Sequence, residues 1–167
     1  MEPLLNEFTR FPWLPIQTAA ARMIAALLFG ALVGFEREWR NHPAGLRTHM
    51  LVCLASACVA ILAIEIAHMP PFDNESTRID PLRLIEAVTG GVAFLAAGFI
   101  VFTNGRVRGL TTGAGMWLAG AIGLACGLGA LHIAALATVL AILVLWILGH
   151  VEKSMGDSDD PDGKYES

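Results

Sequence analysis

The sequence has few charged residues for its length. Of its 167 residues only 16% are Asp, Glu, Lys or Arg, while 55% are hydrophobic; soluble domains carry about 25% charged residues. Residues 111–149 contain no charged side chain at all. As a single helix this stretch would be about 58 Å long, whereas the hydrocarbon core of a bilayer is about 30 Å thick. It therefore predicts two membrane crossings, and the lack of charge excludes an ordinary soluble domain.

Cysteine is also scarce and forms no motif. Cys53, Cys58 and Cys126 all lie in apolar runs, which favours small buried hydrophobic residues over a disulfide or metal site. The chain lacks a nucleophile–base arrangement. Residues 105–112 are rich in Gly and Arg but lack the Gly-Lys-Ser/Thr ending and the preceding strand of a phosphate loop. We expect neither an enzyme nor a nucleic-acid-binding protein.

The two ends of the chain differ from its apolar middle. Residues 1–17 lack the basic start of a signal peptide and contain prolines and aromatic side chains, which predicts an interfacial N-terminal segment at the level of the lipid headgroups. Residues 150–167 are polar and acidic, which predicts a disordered cytoplasmic tail.

The apolar runs predict an all-α, polytopic integral membrane protein with a bundle of about five transmembrane helices in one domain, residues 18–149. Asp80 is a good N-cap and Pro81 suits the first helical position, which marks the start of the third helix. The predicted helices are Thr18–Phe35, Thr48–Ala67, Pro81–Phe102, Thr111–Leu128 and Ala130–Gly149.

An odd number of helices places the two termini on opposite sides of the membrane, and the positive-inside rule orients them. One side carries Arg37, Arg40, Arg47, Arg106, Arg108, Lys153 and Lys164. The other side carries only Arg10, Arg22, Arg78 and Arg83. We therefore expect the N-terminus outside and the C-terminus in the cytoplasm.

Small residues recur along the predicted helices. Because lipid supplies no hydrophobic force between helices, close association needs small side chains that let backbones approach. These faces exceed what one five-helix bundle is expected to use, which favours a homodimer. The predicted packing positions are Gly30, Gly34, Gly91, Gly98, Gly115 and Gly123.

Several blocks of the sequence resemble the MgtC/SapB family of bacterial inner-membrane proteins. They are Gly34-Phe-Glu-Arg-Glu, Pro43-Ala-Gly-Leu-Arg-Thr-His-Met-Leu-Val-Cys-Leu, Ala93-Phe-Leu-Ala-Ala-Gly and Arg108-Gly-Leu-Thr-Thr. The resemblance extends from about residue 20 to residue 146. Ala93 and Ala96 stand where the family pattern has glycine. Longer relatives carry a soluble C-terminal domain resembling ACT modules, so this chain looks like a short form without it.

The resemblance implies a virulence-associated inner-membrane family that supports magnesium and ion homeostasis and stress adaptation. Modulation of partner membrane proteins is the function it favours. The competing interpretation is a small ion transporter or channel with Arg and Glu residues lining the path. The expected partners are the lipid bilayer, a second copy of the chain and other inner-membrane proteins.

The charged stretch after the first helix is the first candidate site. Glu36 and Arg40 have the spacing and order of a helical ion pair, provided that the helix continues one turn past the membrane. Such a stretch can be a solvated loop that sets topology and contacts anionic lipid. The family resemblance favours a shared cytoplasmic site comprising Glu36, Arg37, Arg40, Arg47, Thr48, His49, Arg108, Thr111 and Thr112.

A second group of charges lies within the other half of the predicted membrane region. Ionisable groups at this depth usually face the protein interior and pair with one another, although each can also reach the interface separately. We expect an Arg22–Glu86 contact in an intramembrane polar cluster of Arg22, Glu65, Arg83 and Glu86.

No cofactor is expected. Mg²⁺ binds oxygen ligands, and carboxylates on the outer side could supply them, but no spacing among them defines a cage. The metal ligands therefore stay unassigned among Glu65, Asp73, Glu75, Asp80 and Glu86.

Overall fold

The structure, a computed structural model, describes residues 13–68, 80–103 and 106–156. The described part is almost entirely helical, as predicted. Three of its helices are long and apolar enough to cross a membrane: α1, α2 and α4. The elements are α1 Ile16–Trp39, α2 Leu46–Ala67, α3 Pro81–Ala97, β1 Val101–Thr103, β2 Arg106–Arg108, α4 Leu110–Leu128 and α5 Leu131–Gly156.

Local sequence signals explain two of the helix ends. The Asp80 side chain accepts a hydrogen bond of 2.9 Å from the amide of Leu82, and Pro81 follows it at the first helical position, as predicted. Helix α4 ends at Gly129, whose positive φ of 86° closes the last turn. The amide of Ala130 then donates to the carbonyl of Ala125 at 2.8 Å, which allows α5 to start at once.

The predicted end of the third helix was wrong. Helix α3 stops at Ala97 rather than at Phe102, and β1 and β2 form an antiparallel hairpin in which Val101 pairs with Arg108. Residues 100–103, Ile-Val-Phe-Thr, have the β-branched and aromatic side chains that favour strands. The Asn104-Gly105 sequence between the strands is a strong hairpin signal.

The ends of α1 and α5 also extend beyond prediction. Helix α1 continues to Trp39, one turn past Phe35. Helix α5 continues through Gly149 to Gly156, so residues 150–156 of the predicted tail are helical. The sequence has no proline in this stretch that would stop the helix. Residues 157–167 of the tail and residues 1–12 of the N-terminal segment lie outside the described residues.

Helix α2 packs between α1 and α4 through glycines. A side chain on Gly123 would overlap the backbone of Cys53, and one on Gly34 would lie 2.8 Å from the Cα of Leu46. A Cβ added at Gly30 would likewise meet α2, 2.9 Å from the carbonyl oxygen of His49. Because these positions have no side chain, the backbones approach closely and α2 forms the centre of the bundle.

The other three predicted packing glycines lie in looser surroundings. A Cβ added at Gly115 would lie 3.4 Å from Nε2 of His49, which is an ordinary contact distance. No atom of the described residues outside its own helix lies within 4 Å of a side chain added at Gly91. At Gly98 the neighbour is the carbonyl of Leu95 in α3 itself. Among the described residues Gly91 and Gly98 make no close contact with another helix, so their packing role stays a prediction.

The bundle has two polar ends and an apolar middle. Helix α1 starts, α2 ends and α4 ends at one end, where Glu65 lies; we call it the Glu65 end. Helix α1 ends and α2 and α4 start at the opposite end, the Arg37 end. Large apolar side chains remain exposed along the helices, among them Phe94, Leu28, Leu136 and Val139, as is normal for surfaces that face lipid.

Candidate functional site

Arg37, after which the Arg37 end is named, is a charged residue with a buried side chain. It lies in the last turn of α1 and is only 1% exposed. Its guanidinium nitrogen Nη2 donates a hydrogen bond of 2.8 Å to the hydroxyl oxygen of Thr112 in the first turn of α4. The contact exists because α1 continues one turn past Phe35, which brings Arg37 against the start of α4.

His49 lies beside Arg37 at the start of α2 and is fully buried. Its ring nitrogen Nδ1 lies 2.9 Å from the carbonyl oxygen of Gly45. Since a carbonyl only accepts, Nδ1 carries the proton of this bond, and in a neutral ring Nε2 is then an acceptor. Nε2 faces Gly115 of α4 and has no hydrogen-bond partner among the described residues.

Glu36 and Arg40 form an ion pair four residues apart on α1, as their spacing predicts. The pair is largely buried, with 15% and 25% of the two side chains exposed. Although Oε1 of Glu36 is within ion-pair distance of Arg40 Nε, neither carboxylate oxygen makes a hydrogen bond of good geometry. The charge of Glu36 is thus balanced by Arg40, while its carboxylate oxygens can still accept hydrogen bonds.

Glu38 was absent from the predicted site, yet it organises the start of α2. Its carboxylate accepts a hydrogen bond of 2.9 Å from the amide of Leu46. The residue before that helix is Gly45, which has no side chain to cap it, and the first turn contains no acid. A carboxylate at a helix N-terminus is favourable, and the lack of a local cap was the available signal that a more distant one is needed.

The charge of Arg37 has the favourable sign for the end of its own helix, α1, but the unfavourable sign for the start of α4, which it contacts. A helix N-terminus carries partial positive charge and stabilises anions. Helix α4 starts after Gly109, without a side-chain cap and without an acid in its first turn. Arg37 adds a cation at this end. We refer to Glu36, Arg37, Arg40, His49 and Thr112 as the Arg37 cluster.

The remaining predicted residues of the cytoplasmic site lie outside this cluster. Arg47, Arg108 and Thr111 are exposed, and Thr48 is half-buried. Arg47 is the second residue of α2, and Arg108 belongs to the hairpin strand β2. The structure therefore brings together five of the nine residues.

The charged residues at the Glu65 end stay apart. Arg22 donates a hydrogen bond of 2.8 Å to the carbonyl oxygen of Gly127 at the end of α4. Glu65 accepts a hydrogen bond of 2.9 Å from the amide of Leu14 just before α1, and Trp13 stacks on His68 with ring centroids 3.9 Å apart. Each charge thus meets a helix end of complementary sign.

The predicted Arg22–Glu86 contact is consequently wrong. Arg22 uses the carbonyl at the end of α4, which a cation stabilises, while Arg83 and Glu86 are exposed on α3. Within the described residues the structure does not assemble Arg22, Glu65, Arg83 and Glu86 into one cluster.

No metal site emerges from the described part of the chain. Among its His, Cys, Asp and Glu residues, no three lie close enough together to hold an ion. Asp73 and Glu75, two of the carboxylates considered for Mg²⁺, lie outside the described residues. Glu65 and Asp80 are used in helix capping.

An apolar cavity adjoins the Arg37 cluster. It has a volume of about 430 Å³ and lies between α1, α4 and α5. Val33, one turn before Arg37, and Gly115, which faces His49, both line it. Its other walls are formed by Thr111, Ala114, Leu118, Ala137, Leu140, Ala141, Val144 and Leu145.

Comparison with known proteins gives consistent matches. The model of the MgtC family matches residues 23–154. Protein MgtC of Brucella abortus is 37% identical over 132 residues, which cover 79% of this chain and 52% of the relative. Protein MgtC of Salmonella typhimurium is 36% identical over 120 residues, 72% of this chain and 48% of the relative. The chain spans about half the length of the curated relatives it matches. No solved structure matches it.

Proposed function

The chain belongs to the MgtC family, and from this premise we propose that it supports magnesium and ion homeostasis by acting on partner membrane proteins through the Arg37 cluster. The name of its relatives fits magnesium homeostasis. The described helices fit a membrane protein of this family. In this proposal the cluster is the contact that decides activity.

The observation that carries the proposal is the burial of Arg37. Removing a charge from water costs on the order of several kcal/mol unless it is well paired. The two acids next to Arg37 on α1 are engaged elsewhere, Glu36 with Arg40 and Glu38 with the Leu46 amide. Ionisable residues kept at such cost in membrane proteins usually serve function. A purely structural bundle would be more stable with an apolar residue at this position.

The middle of the bundle favours modulation over transport. Between the two ends the buried polar residues of the described part are Ser56 and Thr138, neither of which is ionisable. Thr138 donates its hydroxyl to the carbonyl of Ala134 in its own helix. Arg22 and Glu65, at the far end, are engaged by helix termini. The described part of a single copy thus has few polar groups that could bind an ion between the two ends of the bundle.

The proposal places the Arg37 end on the cytoplasmic side of the bacterial inner membrane. The arginines at this end, Arg37, Arg40, Arg47 and Arg108, follow the positive-inside rule. The N-terminus is then outside and the C-terminus in the cytoplasm.

A paired experiment tests modulation against transport. A photo-crosslinking amino acid at exposed Thr111 is expected to capture a membrane protein in cells, and Arg37→Gln is expected to abolish that product. Arg83→Gln removes the same charge from an exposed site on α3 and serves as the control. Purified protein in liposomes is expected to give no Mg²⁺ flux.

Two results would overturn the proposal. One is Mg²⁺ flux in liposomes that Glu36→Gln or Arg37→Gln abolishes, since this would establish a transporter. The other is an identical set of crosslinked products with Arg37→Gln and with the native residue. A product of twice the mass of this chain identifies a second copy as the partner.

A further inference from the structure

All the buried side-chain nitrogen and oxygen atoms without a hydrogen-bond partner in the described part of the chain lie in one place. They are Oε1 and Oε2 of Glu36, Nε of Arg37 and Nε2 of His49. Buried polar atoms are nearly always hydrogen-bonded, and each one that is not needs an explanation. Among the described residues only Oε1 of Glu36 has another polar contact, its ion pair with Arg40. The four atoms lie on three neighbouring residues and point to a missing ligand with several polar atoms.

The chemistry of the four atoms specifies what the ligand must offer. Arg37 Nε is a donor and needs an acceptor on the ligand. The two oxygens of Glu36 are acceptors, and so is Nε2 of a neutral His49 whose Nδ1 donates to Gly45. The ligand must therefore carry both hydrogen-bond acceptors and at least one O–H or N–H donor.

The charge of the surroundings favours an anionic ligand. Among the described residues Arg37 has no ion-pair partner, because Glu36 pairs with Arg40 and the Glu38 carboxylate accepts from the Leu46 amide. The uncapped start of α4 adds amide donors and partial positive charge. Thr112 and Gly115, which contact Arg37 and His49, lie one turn apart on one face of α4. A ligand of a few atoms can span that distance.

We propose that the Arg37 cluster binds a hydroxyl-bearing phosphate. Its oxygens accept hydrogen bonds from Arg37 and from the start of α4, and its hydroxyl groups donate to His49 and Glu36. Arginine is well suited to phosphate because its planar fork matches the oxygens. The bound phosphate offsets the charge of Arg37, which the protein itself leaves unpaired.

Two sources share this chemistry: free hydrogen phosphate and the headgroup of a phosphoglycerol lipid. The apolar cavity beside Val33 and Gly115 gives an acyl chain a place next to the cluster. The inference rests on the proposed function in that it names a ligand class for the same cluster.

The test measures thermal unfolding of the purified chain in a neutral detergent. A ligand that binds the folded state raises the unfolding temperature. We expect inorganic phosphate or short-chain phosphatidylglycerol to raise it, whereas phosphatidylcholine, which has no hydroxyl group and no net charge, leaves it unchanged. A response to phosphate alone identifies the free anion, and a response to phosphatidylglycerol alone identifies the lipid.

Variants locate the binding site. Arg37→Gln is expected to weaken the apparent affinity by about tenfold or more, as for the loss of a charged hydrogen bond, while Arg83→Gln leaves it unchanged. Arg37→Lys keeps the charge but loses Nε, so it is expected to bind weakly and covers the case in which the glutamine variant does not fold.

The proposal fails if neither ligand raises the unfolding temperature of the native chain, which is the result expected if only water occupies the cluster. It also fails if phosphatidylcholine acts as strongly as phosphatidylglycerol, or if folded Arg37→Lys binds as tightly as the native chain. If binding fails but the Arg37-dependent crosslink persists, the ligand assignment is wrong and the proposed function stands. If binding holds without that crosslink, the proposed function is wrong.

Discussion

At the scale of single residues, charge meets helix ends in a consistent way with one exception. Glu65 contacts the start of α1, Glu38 contacts the start of α2 and Arg22 contacts the end of α4. Each has the sign that the dipole of the contacted helix favours. Arg37 alone among these four contacts has the opposite sign, at the start of α4. At the end of α1, its own helix, Arg37 has the favoured sign, so the exception concerns only its contact with α4, on which the proposed binding role rests.

Glu65 provides a test of the structural contacts. Glu65→Gln removes the negative charge that accepts from the Leu14 amide, so we expect a loss of about 1 kcal/mol in the free energy of unfolding. Thermal unfolding in detergent measures it. Glu86→Gln, an identical change at an exposed site on α3, is expected to have no effect; an equal loss in both variants would contradict the capping role.

The sequence predicts polar contacts within one helix better than contacts between residues that are far apart in the chain. The Glu36–Arg40 pair follows from spacing within one helix. Arg22, Glu38 and Glu65 each bind a backbone group at the end of a helix. Such partners carry no residue-type signature, so sequence reasoning looked for a side chain of opposite charge, Glu86, where the partner is a carbonyl.

At the scale of helices and strands, glycine placement decides which helices touch. The sequence identifies small residues but not their neighbours. Nothing in it distinguishes a small face that packs against another helix from one that does not. Gly123 and Gly34 lie against α2, whereas Gly91 faces open space among the described residues. The hairpin after α3 had a readable signal, Asn104-Gly105 between short β-favouring runs. The strong apolar pattern of the third helix obscured it.

The two classes of glycine respond differently to alanine. Gly123→Ala places a methyl group on the Cys53 backbone, so we expect a loss of about 1–3 kcal/mol in the free energy of unfolding. Gly91→Ala meets no described neighbour and is expected to gain up to about 1 kcal/mol from helix propensity. Thermal unfolding of the two purified variants compares them. A Gly123→Ala variant as stable as the native chain would show that α2 and α4 do not pack this closely.

At the scale of the whole molecule, composition and length were enough to predict an all-α membrane bundle. The deficit of charge and the long apolar runs carry that information directly. The separation of its two ends required the structure, since it depends on which helix ends meet. Capping contacts occupy the Glu65 end, whereas the unpartnered buried polar atoms lie at the Arg37 end. The proposed function at the Arg37 end rests on this asymmetry.

The most direct test of the Arg37 cluster is growth of a bacterial strain that lacks its own family member, at graded low magnesium. The native chain and Arg83→Gln are expected to restore growth, and Arg37→Gln is expected to fail although its amount in the membrane is unchanged. Full restoration by Arg37→Gln at equal membrane levels would contradict the account, because the buried arginine would then be dispensable for function.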